Sequence, residues 1–68
     1  MAQMSAANYA TLERFIQTVL RRVVEEKTTV LAAEGDIMYA LTAWDRGNAQ
    51  EFAPWMETSM QEWARDDV

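Results

Sequence analysis

The side chains that could do chemistry in this 68-residue chain are hydroxyls, carboxylates and one lysine amine, because it has no cysteine and no histidine. Catalysis needs a nucleophile beside a base, an acid and a base with tuned pKa values, or a metal ion. No serine, threonine or tyrosine lies at a recognisable spacing from such a partner. We therefore expect that the protein is not an enzyme, has no catalytic residues and uses no cofactor.

Pairs of acidic residues are the remaining candidates for a metal site. Glu25 and Glu26 are adjacent, as are Asp66 and Asp67, and Glu62 lies four residues before Asp66. Carboxylates suit a hard cation, but no loop with EF-hand spacing accompanies them. We interpret these pairs as solvated helix ends and predict no metal site.

The composition favours a protein partner. Eleven acidic and six basic residues give a net charge of -5, which argues against nucleic acid and favours a partner with a basic surface. A chain this short buries a small core, and without disulfides the remaining support is association. Half of the residues are hydrophobic, including the Met, Trp, Phe and Tyr side chains that are enriched at interface cores. We therefore expect a homodimer.

The ends and apolar runs of the chain predict its location. No run approaches the roughly 18 apolar residues that span a membrane, and MAQMSAANYA lacks the basic-then-apolar order of a signal peptide. We expect no membrane association and a complete small gene product, a single helical domain over residues 1–68 in the cytoplasm.

A helical pattern dominates the first half of the chain. Its apolar positions are Tyr9, Leu12, Phe15, Ile16, Val19, Leu20, Val23 and Val24. Five polar residues, 25–29, then interrupt the pattern, and a continuous helix would place Lys27 in the apolar arc. Since Val30 and Leu31 restore the stripe and Gly35 suits a C-terminal cap, the spacing favours a continuous helix from about Ser5 to Glu34. A break near Lys27, favoured by the β-branched residues 28–30, is the alternative.

Two shorter helices are predicted after Gly35. Asp36 would cap the first of them, and Gly47 suits the left-handed residue that ends it. Its buried stripe would be Ile37, Ala40, Leu41 and Trp44. Asn48 and Glu51 match a capping box, while Pro54 fits a first helical turn. The last helix should therefore begin near Ala53, and the Asn48 segment should be a separate turn or a kinked lead-in.

Three segments resemble a known family. Phe15–Arg21, Lys27–Val30 and Asp36–Leu41 resemble the second helix, second loop and third helix of the core histones. The likeness covers under half of the chain, needs gaps, and leaves too few preceding residues for the first histone helix. It implies, as an alternative function, a histone-fold-like structural or nucleic-acid-associated subunit.

Together these patterns predict an all-α protein in which a long amphipathic N-terminal helix carries two shorter helices packed back on it. We expect it to act by binding another protein, since small acidic proteins of this kind resemble, in size and charge, phage and mobile-element inhibitors and adaptors. The predicted partner-binding residues are Trp55, Met56, Glu57, Met60, Glu62, Trp63 and Asp66. The predicted dimer interface is Leu12, Ile16, Val19 and Val23. Alternatively, the aromatic and Met residues of the last helix cover the core.

Overall fold

The computed structural model describes residues 4–67 and, within that range, folds into three helices without a strand. Helix α1 spans Ala6–Val24, α2 spans Val30–Asp45 and α3 spans Ala49–Asp66. Each helix packs against both of the others. The all-α class predicted from the sequence is therefore confirmed, although the three helices are of similar length.

The prediction of one long first helix is wrong, because α1 ends at Val24. Glu26 adopts a left-handed φ of 60°. The amide of Glu26 then donates to the carbonyl of Val23 at 3.1 Å, and the amide of Lys27 donates to that of Arg22 at 2.8 Å. This pair of bonds is a Schellman motif, which satisfies the last carbonyls of a helix as it stops.

The polar stretch after α1 forms a turn that also starts α2. The Thr29 hydroxyl accepts a hydrogen bond from the amide of Ala32 at 3.1 Å, so Thr29 is the N-cap. The break carries Lys27 out of the apolar arc, and its amine instead donates to the carbonyl of Asp67 at 3.3 Å. The alternative of a break near Lys27 is thus the one observed.

Helix α2 runs straight through Gly35, so the predicted C-terminal cap at this glycine is wrong. Gly35 does not have a positive φ. Because Thr29 supplies the cap, the helix begins six residues earlier than Asp36. The predicted inward positions hold in part: Ala40 is buried, Ile37 and Trp44 are half-buried, and Leu41 is exposed.

The turn between α2 and α3 is closed by Gly47, whose φ of 81° confirms the predicted left-handed residue. Asn48 is the N-cap of α3, but its side chain makes no capping bond because its ψ of 43° is not extended. The capping box is therefore absent. Helix α3 starts at Ala49, not near Ala53. It accommodates Pro54 in its second turn, and both Pro54 and Gln50, the residue four positions before it, are exposed.

The core lies where the three helices meet. Its buried hydrophobic residues are Phe15, Val19, Ala33, Ala40, Phe52 and Met56. Two tryptophans of α3 close over Phe15: the ring centroid of Trp55 is 5.3 Å from that of Phe15, and Trp63 stacks on it at 5.6 Å. Trp44 of α2 packs on Phe52 at 5.2 Å. Aromatic side chains from all three helices thus meet at the core.

Candidate protein-binding face

Large apolar side chains remain exposed mainly along one side of the molecule. We call this side the α1–α2 face. On α1 it consists of the exposed Tyr9, Leu20 and Val24 and the half-buried Leu12, Ile16 and Val23. On α2 it consists of the exposed Val30, Leu31, Met38 and Leu41 and the half-buried Ile37, whereas the exposed Tyr39 packs on Trp55 of α3, with ring centroids 4.6 Å apart. Val24, Val30 and Leu31 are 82%, 73% and 78% exposed. A concentration of exposed apolar side chains on a small protein typically marks an interaction site.

The α1–α2 face contains a groove between the end of α1 and the start of α2, with a volume of about 280 Å³. Its floor and walls are Leu20, Val23, Val30, Ala33, Glu34, Ile37 and Met38. A second depression of about 190 Å³ lies further back on α1 and is lined by Tyr9, Leu12, Glu13, Ile16 and Gln17. The spacing of three and four residues along α1 makes the two depressions successive parts of one stripe.

The charged side chains that line the α1–α2 face are acidic. Glu34 lines the groove and Glu13 lines the second depression, while no Lys or Arg of residues 4–67 lines either. Three basic residues instead contact α3: Arg14 pairs with Glu57, Arg22 with Asp67, and Lys27 with the Asp67 carbonyl. The face therefore presents an apolar centre with negative edges.

The structure separates the residues predicted for a dimer interface. Leu12, Ile16 and Val23 lie on the α1–α2 face. Val19 is 1% exposed and belongs to the core. Val19 lies one turn from both Ile16 and Val23, but its side chain points to the meeting point of the helices. It can support an interface from beneath but cannot contact a partner in this conformation.

The predicted partner-binding residues of α3 mostly contact the protein itself. Met56 has no exposed surface. Trp55, Met60 and Trp63 are half-buried and pack against the core. The guanidinium of Arg22 also lies over the ring of Trp63, 4.6 Å from its centroid. Their arrangement matches the alternative interpretation, in which this side of α3 covers the core. No large hydrophobic side chain of the described part of α3 is among the exposed ones.

The acidic residues of α3 form its outer surface and its contact with α1. Glu62 and Asp66 are exposed, whereas Glu57 is paired with Arg14. The Nε of Arg22 donates to a carboxylate oxygen of Asp67 at 2.9 Å. This hydrogen bond holds the pKa of Asp67 below its ordinary value of 3.8. Burial, partly offset by Arg22, raises the pKa of Asp36 on α2.

Among residues 4–67, no group of three or more acidic side chains is placed to hold a metal ion. None of the described helices is both long enough and apolar enough to cross a membrane.

Comparison with known proteins adds no relative to these observations. The chain matches no protein-family model, no curated protein and no solved structure. The segments that resemble core histones do form a helix, a turn and a helix, since Phe15–Arg21 lies in α1 and Asp36–Leu41 in α2. That local order is common to many helical proteins, so the argument about function depends on the surface.

Sequence reasoning did not assign Leu20, Val30, Leu31, Met38 and Leu41 to a binding surface. Most of them were predicted to be covered by a neighbouring helix or to continue the stripe of α1. A signal was present in α2, where apolar residues fall on more than one side of the helix, at Val30, Leu31, Ile37, Met38, Ala40 and Leu41. A helix that is apolar on more sides than its own chain can cover is expected to leave some of them exposed.

Proposed function

We propose that the protein acts in the cytoplasm as a small, non-enzymatic interaction protein that binds another protein through the α1–α2 face. The observation that supports this most is the concentration of exposed aliphatic and Met side chains around one groove. Interface centres combine apolar area with depth, and the α1–α2 face offers both. The α3 surface, by contrast, is polar where it is exposed.

Self-association would use the same face. Leu12, Ile16 and Val23, which the sequence assigned to a dimer, are part of it. The α1–α2 face would then be shared by two copies when no partner is present, and a partner would compete with the second copy. Such a dimer would cover the exposed apolar side chains of the face until a partner displaced the second copy.

Affinity capture from the native cells tests the proposal. The bait is the purified protein, and the matched baits are Met38→Asp, which places a charge in the groove, and Glu62→Gln, which alters an exposed carboxylate of α3. We expect one protein that is retained by wild type and by Glu62→Gln but lost with Met38→Asp. Binding must then be reproduced with the purified partner.

The folding of the two variant baits, Met38→Asp and Glu62→Gln, must be checked before capture. Met38 is 54% exposed, so Met38→Asp should fold with nearly unchanged helical circular dichroism. A partner that binds wild type and Met38→Asp equally would place the interaction elsewhere on the molecule. A purified protein that turns over a substrate, or that shifts duplex DNA in a salt-sensitive manner, would contradict the proposed class of function.

A further inference from the structure

We propose that the occupant of the α1–α2 face is a single amphipathic helix of the partner, with an apolar stripe flanked by Lys or Arg. This inference rests on the proposed function and specifies the chemistry of the partner. Its basis is the combination of two apolar depressions along one stripe of α1 with a glutamate, and no basic residue, in the lining of each.

The dimensions of the face suit a helix. The stripe on α1 runs from Tyr9 to Val24, which is about 22 Å at 1.5 Å per residue. A partner helix of about 15 residues has that length and would lay side chains at positions i, i+3, i+4 and i+7 into the groove and the second depression. In the groove, side chains of α1 and α2 provide two walls against which such a helix packs, whereas the second depression is lined by α1 alone.

The charges at the face select the flanks of that helix. Glu34 lies within the groove wall and Glu13 beside the second depression. Asp45 continues the α2 row, four residues beyond Leu41. Basic residues beside the apolar stripe of a partner would meet these carboxylates, whereas acidic ones would be repelled. The net charge of -5 acts in the same direction at longer range.

A second copy of the chain fits the face less well. Two copies joined through the α1–α2 face bring Glu13 and Glu34 of each copy to one interface, while Arg14, Arg22 and Lys27 remain engaged with α3. The apolar contact would have to overcome this repulsion. Self-association should therefore strengthen as salt screens the carboxylates, whereas binding of a basic helix should weaken.

Two dye-labelled 16-residue peptides test the inference by fluorescence anisotropy. Both carry leucines at every third and fourth position, and one has lysines beside the leucine stripe where the other has glutamates. We expect the Leu/Lys peptide to bind the wild-type protein, to bind more weakly at about 0.5 M than at about 0.05 M salt, and the Leu/Glu peptide not to bind. The Glu13→Gln/Glu34→Gln variant should bind the Leu/Lys peptide about fivefold more weakly, the amount expected from two exposed ion pairs.

Matched variants locate the binding. Met38→Asp should abolish binding of the Leu/Lys peptide, and Glu62→Gln on α3 should leave it unchanged. Equal binding of both peptides, or binding that ignores the Glu13→Gln/Glu34→Gln change, would overturn the inference. So would a dimer that persists at low salt and that the Leu/Lys peptide does not displace in sedimentation experiments, because the second copy would then be the occupant.

These experiments distinguish failure of the inference from failure of the proposed function. A native partner captured in a Met38-dependent way but not displaced by the Leu/Lys peptide would leave the α1–α2 face as a protein-binding site. The inference that a basic helix occupies it would then be wrong, while the proposed function would stand. Absence of any Met38-dependent partner would instead remove the proposed function itself.

Discussion

Glu26 determines where the first helix stops, although its residue type is poorly suited to the role. Its φ of 60° is left-handed, a conformation that is unfavourable for residues with a Cβ atom by roughly 1 kcal/mol or more. The same position in the second turn is filled by Gly47, at φ 81°. The break is nevertheless formed because the amides of Glu26 and Lys27 satisfy the last carbonyls of α1, and because Thr29 caps α2 at once.

Exchanging side chains at these two turns should change stability in opposite directions. Glu26→Gly removes the strain and should raise the free energy of unfolding by about 0.5 to 1 kcal/mol, after the larger entropy of glycine in the unfolded chain is subtracted. Gly47→Ala introduces the strain of a left-handed φ and should lower the free energy of unfolding by about 1 kcal/mol. A steric clash adds nothing to this loss, because a Cβ at Gly47 would meet no other atom within 4 Å. Urea denaturation followed by circular dichroism measures both. A loss of stability in Glu26→Gly would show that its side chain makes a contact that matters more than its backbone.

The ion pair between Arg22 and Asp67 should contribute stability that depends on pH. Because the pKa of Asp67 is lowered in the folded protein, its contribution is fully present above the ordinary value of 3.8 and is lost as the pH falls through the lowered value. The raised pKa of Asp36 acts in the opposite sense, since its protonation relieves the penalty of burial. The stability difference between wild type and Asp67→Asn should be constant above about pH 5 and should shrink in more acidic solution. A difference that is constant down to pH 2 would show that the pair does not titrate with folding.

At the scale of helices, the sequence predicted the class and several ends correctly, and it misjudged the connections. Helix α1 begins close to the predicted Ser5, whose hydroxyl accepts from the Asn8 amide at 3.1 Å as the N-cap, and Gly47 closes α2. The long helix was favoured because the apolar pattern resumes after Lys27, and periodicity alone cannot distinguish one helix from two helices that meet at a tight turn. The break is made by local bonds, those of the Glu26 and Lys27 amides and of the Thr29 cap, but the residue type of Glu26 does not indicate its left-handed φ.

The binding face was only partly predictable for a related reason. The residues of α1 were assigned to an interface from their spacing, and three of the four lie on the α1–α2 face. The aromatic residues of α3 attracted the partner assignment because their type is common at interfaces. Composition cannot tell whether Trp63 faces solvent or Phe15, and here the two rings stack at 5.6 Å. Their burial left the aliphatic residues of α2 as the exposed set.

Trp63 should therefore behave as a structural residue of α3. Trp63→Ala removes its stacking on Phe15 and its contact with Arg22, and should lower the free energy of unfolding by about 3 kcal/mol. Trp63→Phe keeps an aromatic ring in place and should lose about 1 kcal/mol. Thermal unfolding of the two variants checks the order. Unchanged stability in Trp63→Ala, combined with lost capture of a partner, would instead make this side chain a binding anchor.

At the scale of the whole molecule, one limited set of apolar residues forms both the core and the exposed α1–α2 face. Among the described residues, six hydrophobic side chains are buried and two of these are alanines, so the centre is formed by Phe15, Val19, Phe52 and Met56. The overall dimensions are 35 × 21 × 16 Å, and the shortest of them is close to the thickness of a single layer of helices. A molecule this thin cannot cover both sides of α1 and α2 with one further helix. Because α3 covers the aromatic side, the aliphatic side of α1 and α2 remains exposed.

Two neighbouring substitutions in α1 should separate folding from association. Leu20 is 53% exposed on the α1–α2 face, so Leu20→Asp should leave a folded, helical monomer and remove the concentration dependence of thermal unfolding that a dimer produces. Val19 precedes it and is 1% exposed, so Val19→Asp would bury an unpaired charge and should lower the free energy of unfolding by about 4 kcal/mol or more. For a 68-residue domain whose total stability is of that order, Val19→Asp should be largely unfolded at room temperature. Sedimentation equilibrium and circular dichroism at low micromolar concentration distinguish the two results. If the wild-type protein sediments as a monomer at both low and high salt, the expectation of a homodimer is wrong. If the Leu20→Asp variant remains dimeric, self-association uses a surface other than the α1–α2 face.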